Sequence, residues 1–79
     1  MIACRWETEL RWYEAELVYD LFGDWLIIRR WGGLYSDRHG TKTEVVPDMF
    51  SGVVELFAID RERQRRKPPY LRVSFGSYL

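Results

Sequence analysis

The chain has 79 residues, and its 12 basic and 12 acidic side chains cancel to a formal net charge of zero. The length is below the usual domain size of roughly 100 to 150 residues, so one compact domain over residues 1–79 is predicted, with a core over about 11–75. Zero net charge excludes a global field that would draw the protein to nucleic acid or to an anionic membrane. Any such attraction must be local.

Cysteine count and hydropathy exclude further classes of protein. Cys4 is the single cysteine, so no disulfide can form within the chain. The first residues lack the basic and apolar segments of a signal peptide. The longest uncharged apolar run, residues 25–28, is far shorter than the about 20 residues needed to cross a bilayer. We therefore predict a cytoplasmic protein with no membrane partner.

The first clear element is a strand over residues 11–19. Tyr13 and Leu17 fall on one side of an extended chain and Glu14 and Glu16 on the other, a period of two that is typical of a half-buried strand. The next five residues contain one glycine and two aspartates, which favour a tight turn. A hairpin is the simplest connection to the next strand.

Residues 25–31 are rich in β-branched and aromatic side chains, which favours a second strand. Alternation assigns four residues to one face, namely Trp25, Ile27, Arg29 and Trp31. The other face is also partly apolar, so the strand is predicted to be central. Gly32 and Gly33 are expected to break the extended pattern before a loop over residues 35–40. A shorter strand over 41–46 then ends at Pro47.

After Pro47 the hydrophobic period changes to that of a helix. Four apolar residues follow the i, i+3, i+4, i+7 rule for one buried face: Phe50, Val53, Val54 and Phe57. Asp48 or Ser51 could cap the first turn. The helix is predicted to end near Arg66, because two prolines follow at positions 68 and 69.

Alternation over residues 71–75 predicts a final strand after the helix. The connections between the early strands are too short for crossovers, so the sheet is predicted to be antiparallel. The expected fold class is α+β, with an antiparallel sheet of about four to five strands and one helix packed on one face, in the order β-β-β-α-β. Residues 1–10 could form an edge strand or a strap.

Several short motifs lie in this order along the chain. They are Trp12-Tyr13 in the first strand, Leu21-Phe22-Gly23-Asp24-Trp25 in the turn, Arg29-Arg30-Trp31-Gly32 at the end of the second strand, Gly40 in the loop, and Arg65-Arg66-Lys67 before Tyr70. Together they resemble the WGR domain, a small module named for a Trp-Gly-Arg triplet. It is found in DNA-damage-dependent poly(ADP-ribose) polymerases and in small bacterial proteins. The resemblance covers about residues 12–70.

The resemblance implies a role for the motif Trp but not for the third motif position, where the family's Arg is absent. In the polymerases the motif Trp packs against a sugar at a DNA break, which implies the same role for Trp31. The motif Arg contacts DNA and neighbouring domains, but the third motif position here is Gly33. Tyr35 also stands where a second glycine is usual. Gly32, Gly33, Gly40 and Tyr70 are therefore interpreted as motif or structural positions.

The residues themselves suggest where nucleic acid could bind. An exposed Trp31 ring would stack on bases, although a core position at the end of the sheet is the alternative. Alternation allows only Arg29, and not Arg30, to share the Trp31 face. The helix end carries five cations, including Arg63, which could face phosphates or only complement the helix dipole. The candidate binding residues are Trp31, Arg29, Arg30, Arg61, Arg65, Arg66 and Lys67.

No catalytic or metal-binding motif is present in the sequence. One histidine and one cysteine cannot supply the four ligands usual at a structural zinc site, and no phosphate-binding or dinucleotide-binding loop is found. We therefore predict a non-enzymatic module without a cofactor. The first hypothesis is that it binds DNA, at ends or non-specifically. The alternative is a module that binds another protein or a second copy of itself.

Overall fold

A computed structural model of the protein describes residues 1–77, which form five strands and one helix. The elements are β1 (Ile2–Glu7), β2 (Arg11–Tyr19), β3 (Trp25–Gly33), β4 (His39–Val46), α1 (Met49–Arg65) and β5 (Leu71–Ser77). The strands form a single antiparallel sheet in the order β4-β3-β2-β1-β5. The predicted α+β class and the order of β2, β3, β4, α1 and β5 are confirmed. Within these residues no helix is both long and apolar enough to cross a membrane.

Residues 1–10, for which the sequence leaves two alternatives, contribute a strand in the interior of the sheet. β1 pairs with β2 on one side and with β5 on the other. Its central position explains Trp6, which is completely buried and donates a hydrogen bond from Nε1 to Oδ1 of Asp60 at 2.8 Å. That bond joins the interior of the sheet to α1. The N-terminal strand is therefore part of the core and not an edge.

The core lies between one face of the sheet and α1. The alternation predicted for β2 is confirmed, because Tyr13, Ala15 and Leu17 are buried while Glu14 and Glu16 are not. β3 is central, as predicted, and it contributes the fully buried Ile27. The buried hydrophobic residues are Cys4, Trp6, Tyr13, Ala15, Leu17, Ile27, Leu56, Ile59 and Tyr70.

The face of α1 that packs on the sheet differs from the predicted one. The buried helical residues are Gly52, Leu56, Ile59 and Arg63, whereas Phe50 is 76 % exposed. The prediction of a buried Phe50, Val53, Val54 and Phe57 stripe is therefore wrong, and only Val53 of the four packs against the core. The physical reason is Gly52. A Cβ there would collide with the Leu17 side chain, so the glycine marks the point of closest approach between helix and sheet.

The connection between β3 and β4 is also shorter than predicted. Gly32 and Gly33 remain within β3, and β4 begins at His39, which leaves residues 34–38 as the loop. The expectation that the two glycines end the strand is wrong. Gly32 pairs with His39 in the sheet, and the Gly33 N–H donates to the Arg38 carbonyl at 3.3 Å, so the ladder continues through both glycines.

Of the two candidate caps, Asp48 and Ser51, it is Asp48 that caps α1. Since a carboxylate titrates in acid, this cap predicts how stability depends on pH. Its carboxylate accepts a hydrogen bond from the Ser51 backbone N–H at 2.7 Å, which lowers the pKa of Asp48 below its ordinary value of 3.8. Because the pKa of Asp48 is lower in the folded than in the unfolded state, the charged carboxylate stabilises the folded protein above the unfolded pKa. This stabilisation is lost as the pH falls through the folded pKa. We expect Asp48→Asn, which keeps an oxygen acceptor, to make the free energy of unfolding less sensitive to acid below about pH 4.

Urea unfolding of both proteins between roughly pH 2 and pH 6 measures this difference. A matched substitution, Asp37→Asn in the exposed β3–β4 loop, controls for the loss of one negative charge. If the wild type and Asp48→Asn show parallel pH profiles across the acid range, the cap does not contribute in this way.

Candidate nucleic-acid interface

An open groove lies at the end of the sheet where β2 begins and β3 ends, beside the C-terminal end of α1. Among the described residues, its lining contains six cationic side chains, five aromatic ones and no carboxylate. The cations are Arg11, Arg29, Arg38, Lys42, Arg63 and Arg66, and the aromatic residues are Trp12, Tyr13, Trp31, Tyr35 and Tyr70. Half of the lysines and arginines of a chain with zero net charge thus line one concave surface.

Trp31 lies in this groove and is partly exposed. Its ring stacks on Tyr13 with centroids 6.0 Å apart and an angle of 12° between the planes, and 38 % of the residue remains exposed. The indole also covers Gly40, its partner on β4, where a Cβ would lie 2.5 Å from the ring. Trp31 is therefore held between Tyr13 of β2 and Gly40 of β4, while part of its indole stays exposed. A fixed, half-open indole is suited to stacking on a flat ligand.

Gly32 is covered by a second tryptophan, Trp12, in the same way that Gly40 is covered by Trp31. It pairs with Trp12 of β2, and a Cβ on Gly32 would lie 2.9 Å from Nε1 of that indole and 2.8 Å from the carbonyl oxygen of Arg38. The Trp31-Gly32 pair thus takes part in two cross-strand contacts in which a tryptophan covers a glycine. This packing explains Gly32 and Gly40 without reference to a ligand.

Arg63 lines the groove from the last turn of α1. It is 8 % exposed, and its guanidinium carbon is 3.7 Å from the Tyr13 ring centroid and 5.3 Å from that of Tyr70. Such cation–π contacts hold the charged group in place while it is largely desolvated. Its Nε is buried without a hydrogen-bond partner in the described part of the chain. Arg63 therefore adds positive charge to the groove lining, although its Nε is itself covered.

Arg29 borders the groove next to Trp31, on the face that alternation assigns to it. It is held by Glu44 and by Glu55, the latter at 2.8 Å from Nη2. Burial alone would lower the pKa of Arg29, but hydrogen bonds and charge interactions with Tyr13 and Glu44 outweigh that effect and raise it. The guanidinium is therefore fixed and charged, although its charge is shared with two carboxylates.

Three other groove cations lack such partners among the described residues. Arg11, Arg38 and Lys42 are exposed and form no ion pair within 4 Å among residues 1–77. Arg66 pairs with Glu62 at 3.0 Å, the i, i+4 pair expected from the sequence. Exposed cations without partners are the groups that can exchange counterions for phosphates.

The structure brings only part of the predicted set together. Trp31, Arg29 and Arg66 line the groove, as do the motif residues Gly32, Gly33 and Tyr70. Arg30 points to the opposite face of the sheet, where it lies 3.6 Å from Glu16. The groove lining does not include Gly40, Arg61, Arg65 or Lys67, and Lys67 instead borders a neighbouring depression together with Arg66 and Tyr70.

Sequence reasoning misses several groove residues. It places Arg63 among the cations at the helix end but not among the candidate binding residues, and it does not single out Arg11, Arg38 or Lys42. The available signal for Arg63 is its spacing, since position 63 follows positions 52, 56 and 59 on one helix face. That face can be recognised only once Gly52 is known to be buried.

Across residues 1–77 no cluster of three or more histidine, cysteine, aspartate or glutamate side chains could hold a metal ion. The groove instead combines aromatic surfaces with positive charge. Comparison of the chain with protein-family models, with curated proteins and with solved structures finds no match to any of them.

Proposed function

We propose that the protein is a non-catalytic module that binds nucleic acid in the groove between Trp31 and the end of α1. The observation that carries the proposal is the groove lining, which among the described residues has six cations, five aromatic side chains and no carboxylate. Bases stack on aromatic rings without regard to sequence, and phosphates attract the cations beside them. The resemblance to the WGR domain, which implies DNA contact through Trp31, supports the same proposal.

The distribution of charge supports binding at this place and not elsewhere. With six of 12 cations in the groove, the rest of the chain carries 12 acidic and six basic side chains and is therefore net negative. Taken as a whole, this remainder does not attract a phosphate backbone, so the groove is the surface on which such a ligand is favoured. The bound strand is thus expected to contact only a few phosphates, so its affinity depends on stacking as much as on charge.

The shape of the groove favours an extended ligand. It is open along its length, and its cations lie on the helix end, on the strands β2, β3 and β4 and on the β3–β4 loop. Neutralising each phosphate releases counterions, so the logarithm of the association constant falls linearly with the logarithm of the salt concentration. The groove cations without an ion pair, Arg38 and Lys42 among them, are predicted to contribute most of that slope.

The test is a salt titration of binding to short single-stranded and duplex oligonucleotides. Fluorescence anisotropy gives the association constant from ~50 to ~200 mM salt. We expect Lys42→Ala and Arg38→Ala each to weaken binding and to reduce the salt slope by about one phosphate contact. The matched control is Arg30→Ala, which removes an equal charge from the opposite face of the sheet and should leave the slope unchanged.

Two outcomes would contradict the proposal. The first is a protein that binds neither oligonucleotide at ~50 mM salt, a condition under which phosphate contacts are strong. The second is an Arg30→Ala variant that loses as much affinity as Lys42→Ala, since that result would move the binding surface away from the groove.

A further inference from the structure

A second surface of the molecule has no role in the proposed function. Along the outer side of α1 the residues Phe50, Val54 and Phe57 follow one another at positions i, i+4 and i+7 and are 76 %, 50 % and 54 % exposed. We call these three residues the outer helix stripe. Beside it, Phe57 and Phe75 of β5 line one cleft, and Phe75 is also about half exposed. These three side chains are among the four that the helical period predicts to be buried.

The size of this apolar surface marks it as an interaction site. Three phenylalanines that are half to three-quarters exposed, together with Val54, present on the order of 350 Å². Soluble monomers rarely expose contiguous apolar patches larger than a few hundred Å² without a function. Nothing in residues 1–77 covers the stripe, because the sheet packs against the opposite side of the helix.

We infer that the outer helix stripe binds the same stripe of a second copy, with the two helices antiparallel and the two-fold axis at Val54. A two-fold interface needs a patch that is complementary to itself. With the axis at Val54, residues equally far before and after it face one another, so Phe57 of each copy reaches the neighbourhood of Ser51 in the other, beside Phe50. The apolar residues of the two stripes thus interleave.

Charge complementarity selects this partner and orientation. In that register Arg61 of each copy lies level with residues 47–48 of the other and so meets Asp48. Both side chains are exposed, and Arg61 forms no ion pair among the described residues. Antiparallel helices also bring opposite ends of their dipoles together. A parallel arrangement would instead place Arg61 beside Arg61.

The area predicts how strong the association is. A stable standard-size interface takes roughly 800 Å² from each partner. The apolar patch of about 350 Å² is well below that area, even with Met49 and a polar rim added. The dimer is therefore weak and concentration-dependent. It leaves the groove free, because neither Trp31 nor any other groove residue belongs to the stripe.

The test uses a cysteine at the predicted two-fold axis. We expect Val54→Cys to form an intermolecular disulfide under mild oxidation, because the axis brings the two thiols together. The native Cys4 is 4 % exposed and does not compete. The matched control is Leu21→Cys, which places an accessible thiol on the fully exposed tip of the β2–β3 hairpin and should cross-link far more slowly. Equal rates for the two variants would overturn the proposed interface.

Sedimentation equilibrium provides the second measurement. We expect a monomer of 9.5 kDa in concentration-dependent equilibrium with a species of twice that mass. Val54→Glu places two like charges at the axis and should weaken the dimer by about a hundredfold or more. Arg61→Glu should also weaken it, whereas Arg30→Glu, on the face of the sheet away from α1, should not. A protein that stays monomeric up to ~1 mM would overturn the inference, while its nucleic-acid binding would be unaffected.

Discussion

Trp6→Ala is expected to lower the free energy of unfolding by about 3–5 kcal/mol, because it empties the site of the largest fully buried side chain among the described residues. Trp6 has no exposed surface, packs on Tyr13 and donates to Asp60 across the core. Domains hold about 0.05–0.15 kcal/mol of stability per residue, so a chain of this length has roughly 4–12 kcal/mol in total. The variant is therefore expected to be partly or largely unfolded at 37 °C. Urea unfolding followed by circular dichroism measures the loss.

Two further variants identify the cause of that loss. Trp6→Phe keeps most of the buried aromatic volume but removes the donor to Asp60, so we expect a smaller loss that includes the about 1–3 kcal/mol of an unsatisfied acceptor. Leu21→Ala, at a fully exposed position, should change stability by less than about 0.5 kcal/mol. A loss below about 1 kcal/mol for Trp6→Ala would show that β1 is not part of the core.

The second large effect concerns affinity and not stability. We expect Trp31→Ala to weaken nucleic-acid binding by about 1–3 kcal/mol, or about five- to 150-fold, because the exposed side of the indole is the stacking surface. The salt slope should not change, because stacking releases no counterions. Anisotropy titrations of wild type and variant with the same labelled oligonucleotide at several salt concentrations measure both quantities.

The control for this substitution is Phe22→Ala. Phe22 is 90 % exposed at the tip of the β2–β3 hairpin, at the end of the sheet away from the groove. Its removal deletes an exposed aromatic side chain without altering the groove. If Trp31→Ala binds as tightly as wild type while remaining folded, the stacking role is wrong, and the indole serves only to cover Gly40.

Two strands can be predicted from the sequence because the polarity of their faces shows what covers them. One has faces of clearly different polarity, and the other has two partly apolar faces. β2 has glutamates on one side and core residues on the other, so its period of two is unambiguous. β3 can be assigned as central because both of its faces are partly apolar. In each strand the alternation of polar and apolar residues indicates whether core or solvent covers each face. No contact with residues far away in the sequence is needed to interpret it.

The mispredicted features depend on contacts between residues far apart in the chain. The buried face of α1 is set by the approach of Gly52 to Leu17, which no helical period reveals. The strand character of Gly32 depends on its pairing with Trp12 and His39 on the neighbouring strands. Among the groove residues, the sequence indicates only Trp31, Arg29 and Arg66 as binding residues, because the loop, strand and helix residues that complete the groove meet only in three dimensions.

The position of the groove along α1 has a consequence for valency. Arg66 lies at the C-terminal end of the helix, far from the Val54 axis, so a dimer through the outer helix stripe carries its two grooves at opposite ends. At a rise of about 1.5 Å per residue the two Arg66 residues lie roughly 36 Å apart along the helices. One turn of B-DNA is about 34–36 Å long. A weak module of this kind would gain avidity by holding one duplex at two points a turn apart.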